Sequence, residues 1–325
     1  RGQTLWLLLH PGGQTLWLLL HPRGQTLWLL LHPEGQTLLR KERKDSKMKI
    51  GFIGTGNMGT AILEGYIMAN PGSEKAIFAY DRDRERLKSV SEKAGIQPCD
   101  SIATLVEKSD ILLLAVKPDT FGKVLHEIAP AMDWEKKIIV SIAAGITLNY
   151  IVEQCRENSG VASGEENFRC KVVRVMPNTP ALIGKGMSAL TRNAWVSDEE
   201  MEVVMRIFRG IGKAEQVDEK LMDCVVGVSG SSPAYVYIFI EAMADGAVAL
   251  GMNRKQAYAF AAQAVAGSAE MVLQTGLHPG ELKDRVCSPG GATIEAVEAL
   301  EQNGFRSAVI DAVRAAAEKS AQMTK

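Results

Sequence analysis

The sequence predicts an α/β protein in which a doubly wound parallel sheet is followed by an all-α domain. From Met48 to about Gly212, short apolar runs alternate with amphipathic stretches, as in strands joined by helices. A glycine-rich turn follows the first of these runs and opens the first helical stretch. Beyond Gly212 the chain is alanine-rich, with apolar residues at helical spacing. We therefore predict a dinucleotide-type domain over residues 48–212 and a helical domain over 213–325.

Residues 1–47 do not share this pattern. The unit GQTLWLLLHP recurs every 11 residues from Gly2 and ends in a truncated copy at Gly35. Each apolar run has only five residues and precedes His-Pro or a charged stretch, which is too short for the apolar part of a signal peptide. We interpret residues 1–47 as a repetitive extension unrelated to the fold; a targeting or sticky tail is the alternative.

Charge and composition exclude several kinds of partner. The 325 residues include 37 Lys and Arg against 38 Asp and Glu, with 46% hydrophobic and 23% charged residues, as in ordinary globular proteins. Residues 1–47 hold seven of the basic and three of the acidic residues, which leaves 30 and 35 in the rest. The chain has no basic excess and no continuous run of about 20 apolar residues. We expect neither nucleic acid nor a membrane as partner.

The cysteines and histidines predict a protein of a reducing compartment with no metal site. The five cysteines are odd in number, widely spaced and lack a C-x-x-C pair, which disfavours a disulfide framework or a zinc site. Outside the repeats only His126 and His278 remain, and both are interpreted as surface or loop residues. We predict a cytoplasmic protein.

The predicted elements of the first domain follow in chain order. Five apolar runs are expected to be strands: 49–54, 76–81, 111–116, 138–143 and 171–176. The third, ILLLAV, is almost continuously apolar, as in a strand buried on both faces of a parallel sheet. Helices are predicted over 57–69 and 82–94, and the polar segment 156–169 is predicted to be a surface loop. In the second domain, helices are predicted over 233–250, 254–274, 279–286 and 292–320.

The glycine-rich turn carries the clearest chemical signal. Residues 54–59, GTGNMG, fit G-x-G-x-x-G between a strand and a helix, the arrangement of a Rossmann dinucleotide site. The first glycine permits the turn, the second admits the pyrophosphate, and the third lets helix and strand pack closely. Free N–H groups at the helix start would hold the phosphates. The motif predicts NADPH or NADH as cofactor; a plain glycine turn is the alternative.

The residues after the second strand leave the choice between the two cofactors open. Asp81 lies about 20 residues beyond the motif, where a carboxylate accepts hydrogen bonds from the ribose of NADH. Arg82 and Arg84 follow at once and offer a binding site for the 2′-phosphate of NADPH. A solvated helix start is an equally good interpretation of the two arginines.

Three further strand ends are candidates for the walls of the site. Residues 115–118 and 142–145 follow predicted strands, and ligands of doubly wound folds bind beyond the carboxyl ends of strands. Residues 174–180, RVMPNTP, are either functional or a rigid turn, and the pattern does not decide between them.

A second glycine-rich segment, SPGGAT at 288–293, precedes a strong helical pattern. Proline and glycine exclude a helix interior there, so the segment is predicted to be a loop with free N–H groups at a helix start. Such a loop binds anions, and a substrate carboxylate would suit it; a helix-capping loop is the alternative.

Taken together, these motifs resemble those of the pyrroline-5-carboxylate reductase family. The resemblance covers residues 48–325 and rests on FIGTGNMG, LAVKP, SIAAGIT, RVMPNTP, VSGSSPAYVY and HPGELKDRVCSPGGATIEAVEALE. It implies reduction of the cyclic imine 1-pyrroline-5-carboxylate to L-proline with NADPH or NADH. It also implies a homo-oligomer, in which the helical domain interlocks with that of a second subunit in a dimer, commonly within a decamer.

The motifs and the resemblance together assign the candidate site residues. Thr293 is the predicted catalytic residue, and the predicted substrate site comprises Glu219, Ser288, Gly290, Gly291, Ala292 and Thr293. The predicted cofactor site comprises Ile53, Gly54, Thr55, Gly56, Asn57, Met58, Gly59, Asp81, Arg82, Ala115, Val116, Lys117, Pro118, Ile142, Ala143, Ala144 and Arg285. Two positions depart from the family: Arg285 is often Asn in relatives, and Ser232 is more often Gly.

Two other functions are weighed against this one. A related imine reductase or β-hydroxyacid dehydrogenase would share the architecture, but many of these enzymes use a helical lysine, and 233–250 contains none. A non-catalytic NAD(P)-sensing protein would keep the fold without turnover, whereas the intact SPGGAT segment favours an enzyme.

Overall fold

The computed structural model describes residues 48–160 and 168–324, together with strands between residues 5 and 38. The chain divides into two compact units, Arg1–Lys47 and Met48–Lys325. In the first unit each strand is one copy of the repeated apolar run, and the strands pair antiparallel in chain order. These strands are β1 (Leu5–Leu9), β2 (Thr15–Leu20), β3 (Thr26–Leu31) and β4 (Thr37–Leu38).

The second unit is built on an eight-stranded sheet of order β12-β11-β10-β9-β8-β5-β6-β7. The strands are β5 (Ile50–Ile53), β6 (Ile77–Tyr80), β7 (Gln97–Pro98), β8 (Ile111–Leu114), β9 (Ile138–Ser141), β10 (Lys171–Met176), β11 (Gly186–Arg192) and β12 (Gly212–Gln216). Strands β5 to β10 are parallel, and their order reverses between β5 and β8, as in a Rossmann sheet. The predicted fold class and all five predicted strands are confirmed.

Six helices cover the two faces of this sheet, and the first two of them were predicted with bounds. They are α1 (Asn57–Ala69), α2 (Arg84–Ala94), α3 (Ile102–Lys108), α4 (Pro118–Ile128), α5 (Leu148–Asn158) and α6 (Asp198–Arg209). The prediction that α2 begins at Arg82 is wrong, because the Asp83 side chain caps the helix by accepting from Arg86 N. The predicted loop 156–169 is helical up to Asn158, and its residues 161–167 lie outside the described residues.

Two apolar clusters, one on each face, hold the sheet between its helices. One cluster joins Ile50 and Phe52 to α1 and α6, and the other joins Leu112 and Leu114 to α3, α4 and α5. Because β5, β8 and β9 are buried on both faces, their sequences are almost continuously apolar.

The sheet extends to Gln216, four residues past the predicted domain boundary. Strands β11 and β12 were not predicted. Both lie toward the edge of the sheet, and their sequences, GMSALTR and GKAEQ, contain few apolar residues. β11 runs antiparallel to β10, and β12 runs parallel to β11. Gly186 pairs with Gly212, whose φ of +144° lies in a region that favours glycine, and a Cβ there would overlap the Gly186 backbone.

The predicted helices beyond the sheet are confirmed except at one break, and a further short helix, α7 (Met222–Val225), was not predicted. The others are α8 (Ser232–Ala249), α9 (Arg254–Thr275), α10 (Pro279–Val286), α11 (Ala292–Gln302) and α12 (Phe305–Met323). The prediction of one helix over 292–320 is wrong, because the helix is interrupted at Asn303 and Gly304. Gly304 takes a φ of +70°. Glycine takes this left-handed conformation readily, so it ends α11 without strain.

The helical part leaves much of its apolar surface uncovered. In α8 only Ala244 is buried, and in α9 only Ala257 and Ala261, whereas Leu250 is 91% and Phe260 is 68% exposed. A patch of this kind marks an interaction surface. Among the described residues, the helical stretch Glu219–Ala249 is long and apolar enough to cross a membrane by length and composition alone, and a single such helix is weak evidence.

Candidate active site

The glycine-rich loop joins β5 to α1 at the point where the strand order reverses. Gly54 has a φ of +103°, and a Cβ on it would lie 2.6 Å from the backbone oxygen of Ala115. A Cβ on Gly59 would overlap the Gly54 carbonyl oxygen, so this glycine lets α1 pack directly against the loop. These two positions therefore require glycine for the turn and for the close packing.

Gly56 has a different role, because its surroundings are open. A Cβ on Gly56 would meet no heavy atom within 4 Å, and its φ of −69° is ordinary. Gly56 is also the N-cap of α1, where no side chain caps the helix and no acidic residue stands in the first turn. The loop thus leaves an open, positively polarised helix end that fits the diphosphate of a dinucleotide.

Asp81 anchors this loop to the end of β6. Its Oδ2 accepts from Thr55 N at 2.7 Å and from Thr55 Oγ1 at 2.9 Å, and its Oδ1 accepts from Asp83 N at 3.0 Å. Burial raises the pKa of Asp81, but these hydrogen bonds and the charge of Arg86 outweigh it, so the pKa lies below its usual value. Asp81 is therefore an anion beside the glycine loop.

The two arginines after Asp81 have different environments. Both terminal nitrogens of Arg84 donate to backbone carbonyls, of Cys99 at 3.2 Å and of Asp100 at 2.6 Å, and the guanidinium lies over the Tyr80 ring. Arg82 is exposed and makes one long contact, 3.4 Å from Glu127. Of these two arginines, Arg82 is the one available to a ligand without breaking hydrogen bonds to the backbone.

Two small-residue loops continue the same edge of the sheet. Ala115 N donates to Ile53 O of β5, and Ile142 N donates to Leu114 O of β8, so residues 115–118 and 142–145 follow neighbouring strands. Ala115 and Ile142 are half-buried and Ala144 is exposed. The structure brings the predicted cofactor residues together here, with the exception of Arg285.

The end of α12 supports the second of these loops. A Cβ on Gly145 would lie 3.0 Å from the Met323 carbonyl oxygen. Ser320 Oγ donates to Asp223 Oδ1 at 2.6 Å, which ties the last turns of α12 to α7. The helical part of the chain thus packs against the cofactor edge of the sheet.

Glu219 lies between the last strand of the sheet, β12, and the first helix of the helical part, α7. Its Oε1 accepts from Leu148 N, the first residue of α5, at 2.8 Å and from Arg174 Nη1 of β10 at 3.1 Å. Its side chain is 33% exposed and lines a cavity of about 410 Å³ with Thr191, Asp218 and neighbouring residues. The carboxylate is therefore anchored at one oxygen and accessible.

Two residues of the RVMPNTP segment were not singled out individually by the sequence analysis. Arg174 is buried in β10 and pairs with Glu219. Asn178, which follows β10, donates from Nδ2 to Ser229 O at 3.2 Å, and its Oδ1 accepts from Met187 N at 2.9 Å, so it joins β11 to the helical part. A charged residue between the apolar residues of VVRVM, 172–176, was the available signal for Arg174.

The SPGGAT loop forms a second open helix start. Gly290 has a φ of +64°, and Gly291 is the N-cap of α11 with no side-chain cap. Thr293 is exposed, and the backbone hydrogen bonds described for the loop, such as Gly291 N to Ser288 O at 3.0 Å, are local. Within the described residues, no hydrogen bond or ion pair joins this loop to the glycine loop or to Glu219.

Arg285 also lies apart from the other predicted cofactor residues. It is 60% exposed on α10, and its described partner is Glu281 on the same helix, at 2.8 Å. Its assignment to the cofactor site stays a prediction.

Comparison with known proteins agrees with this arrangement. A family described as pyrroline-5-carboxylate reductase dimerisation matches residues 219–323, and one described as NADP oxidoreductase coenzyme F420-dependent matches residues 49–145. Pyrroline-5-carboxylate reductase of Escherichia coli is 49% identical over 277 residues, which cover 85% of this chain and 98% of that protein. The Arabidopsis thaliana enzyme of the same name is 38% identical, with 85% and 96% covered.

Solved structures give the same result. The pyrroline-5-carboxylate reductase of Coxiella burnetii superposes with a TM-score of 0.79 at 30% identity, covering 86% of this chain and 99% of that one. The Plasmodium falciparum pyrroline carboxylate reductase, solved with NADP bound, gives 0.73 at 34% identity, with 86% and 98% covered.

The fold and the glycine loop define the class: a Rossmann-type NAD(P)-dependent oxidoreductase with a helical dimerisation domain. Within that class, the chain belongs to the pyrroline-5-carboxylate reductase family.

Proposed function

We propose that this protein reduces 1-pyrroline-5-carboxylate to L-proline with NADH or NADPH. The observation that carries the proposal is the open α1 helix end at the reversal of strand order, flanked by the 115–118 and 142–145 loops. In a member of this family, these residues would hold the cofactor: the loop from Ile53 to Gly59 at the diphosphate and the small-residue loops along the nicotinamide half. NADH or NADPH, when bound there, supplies a hydride.

The chain's own contribution is then to bind and orient the imine. A protonated cyclic imine is already electrophilic, so the protein needs no strong acid beside it. Backbone N–H groups of Gly290, Ala292 and Thr293 at the start of α11 would hold the substrate carboxylate. The Thr293 hydroxyl would hydrogen-bond the ring nitrogen and keep its proton in place while the imine carbon is reduced.

The exposed SPGGAT loop supports a site that is completed in the oligomer. Its described hydrogen bonds are local, whereas the apolar faces of α8 and α9 are uncovered in the single chain. Burying those faces against a second copy would bring helices of two subunits together. We propose a dimer built on residues 213–325; assembly into a decamer and a cytoplasmic location stay predictions.

A spectrophotometric assay of the purified full chain tests the proposed function. We expect oxidation of NADH or NADPH that depends on added 1-pyrroline-5-carboxylate and yields L-proline. A chain that binds the dinucleotide but oxidises neither form in the presence of the imine would instead be a non-catalytic NAD(P)-sensing protein.

Arg82 and Arg84 give a matched pair for the 2′-phosphate. We expect Arg82→Ala to weaken NADPH binding by about 10-fold, the loss of one charge-assisted contact, with NADH binding unchanged. Arg84→Ala should lower the melting temperature instead, because it removes two hydrogen bonds to backbone carbonyls. Fluorescence titration of both dinucleotides checks this; equal NADPH affinity in the wild type and in Arg82→Ala would leave Arg82 as a solvated side chain.

A further inference from the structure

Arg174 is a charged residue in the middle of a buried strand. It is 6% exposed, and the residues paired with it on the flanking strands are neutral, Ser141 of β9 and Thr191 of β11. A buried guanidinium is strongly unfavourable unless a counter-charge and hydrogen bonds compensate it. Within the described residues its acidic partner is Glu219, with Nη1 3.1 Å from Oε1. The positive charge of Arg174 is therefore compensated by one carboxylate, that of Glu219.

The Glu219 carboxylate is held asymmetrically. Both described donors, Arg174 Nη1 and Leu148 N, point at the same oxygen, Oε1. Leu148 N belongs to the first turn of α5, whose positive end adds to the attraction for a carboxylate. In the described part of the chain, Oε2 accepts no hydrogen bond, and the side chain is one-third exposed. This leaves one oxygen free to accept from a ligand.

We infer that Arg174 is a positioning residue that fixes Glu219 so that the negative charge on its free oxygen faces the protonated ring nitrogen, whose single N–H is bound by the Thr293 hydroxyl. The inference rests on the proposed function, because it requires a cyclic iminium beside Glu219. Arg174 itself does not touch the substrate. It acts through Glu219, which counterbalances the positive ring nitrogen, while the SPGGAT loop binds the negative carboxylate on the ring carbon next to that nitrogen.

The experiment compares Arg174→Met, Arg174→Lys, Glu219→Gln and the Arg174→Met/Glu219→Gln double variant in the full chain. Arg174→Met is expected to lower kcat/KM for the imine by about 10- to 100-fold, with dinucleotide affinity within about twofold of the wild type. Glu219→Gln should cause a loss of the same size. The kcat/KM of the double variant should lie within about twofold of the lower of the two single-variant values, since both changes remove the same contact. Arg174→Lys should recover part of the loss.

Lys171→Met is the matched control. Lys171 lies on the same strand and pairs with Glu200 at 2.6 Å, so this variant also breaks an ion pair of β10. It should leave kcat/KM within about twofold of the wild type. If Arg174→Met does not fold, the double variant of Arg174→Lys with Glu219→Gln takes its place in the comparison.

Three results would overturn the inference. One is a folded Arg174 variant with unchanged kcat/KM for the imine. Another is a double variant in which the two losses of kcat/KM multiply. A third is an Arg174→Met variant that loses dinucleotide affinity by the same factor as it loses kcat/KM. A wild-type chain that does not reduce the imine at all would contradict the proposed function and the inference together, which distinguishes that failure from a failure at Arg174 alone.

Discussion

Replacing Thr293 by alanine is expected to lower kcat/KM for 1-pyrroline-5-carboxylate by about 10- to 1000-fold. The range corresponds to one hydrogen bond lost from the transition state, at about 1.4 kcal/mol for each factor of ten. The fold should not change, because Thr293 is exposed in the first turn of α11, where alanine is a better helix former than threonine. Steady-state kinetics with saturating dinucleotide measure the effect.

Thr293→Ser is the control for this prediction, since it keeps the hydroxyl and removes only a methyl group. It should retain kcat/KM within about tenfold of the wild type. An unchanged kcat/KM in Thr293→Ala would remove the hydroxyl from the mechanism. Equal losses in the alanine and serine variants would show that the methyl group, and not the hydroxyl, is what the site requires.

Alanine at Gly54 and at Gly56 should separate folding from cofactor binding. Gly54→Ala places a Cβ 2.6 Å from the Ala115 oxygen at a φ of +103°, so we expect it to lower the free energy of unfolding by about 2–5 kcal/mol. The Cβ of Gly56→Ala would have no atom within 4 Å, and the φ of this residue is ordinary. The substitution should therefore change the free energy of unfolding by less than about 1 kcal/mol. Its added methyl group would occupy the open space where the diphosphate approaches.

Gly56→Ala should therefore weaken dinucleotide binding by about 10-fold or more while the protein stays folded. Thermal unfolding and fluorescence titration of the same samples measure the two effects. A Gly56→Ala variant that binds NADH and NADPH as tightly as the wild type would show that the diphosphate does not lie at this helix end.

The predictable parts of the fold are those in which the spacing of apolar residues reflects which faces are buried. Strands β5, β8 and β9 are buried on both faces, and their near-continuous apolar sequences show it. The polar strand β12 has no such pattern, because at the edge of the sheet it needs only backbone hydrogen bonds. The break between α11 and α12 was missed because apolar spacing continues across Gly304.

The cofactor half of the site was more predictable than the substrate half. The roles of Gly54, Gly56 and Gly59 are local, and each follows from the spacing of the motif. The contact between Arg174 and Glu219 joins residues 45 positions apart, and no local pattern records such a pairing. The SPGGAT loop is open in the single chain, and its relation to the crevice depends on how two copies assemble.

The account's central claim is that the SPGGAT loop and the glycine-loop crevice act on one molecule of substrate. A crystal structure of the protein with NADP+ or NAD+ and L-proline measures this directly. We predict the proline carboxylate on the N–H groups of Gly290 and Ala292, the ring nitrogen beside Thr293 Oγ1, and the ring about 3–3.5 Å from the nicotinamide. Proline bound elsewhere, with the SPGGAT loop turned away from every dinucleotide in the oligomer, would contradict the claim.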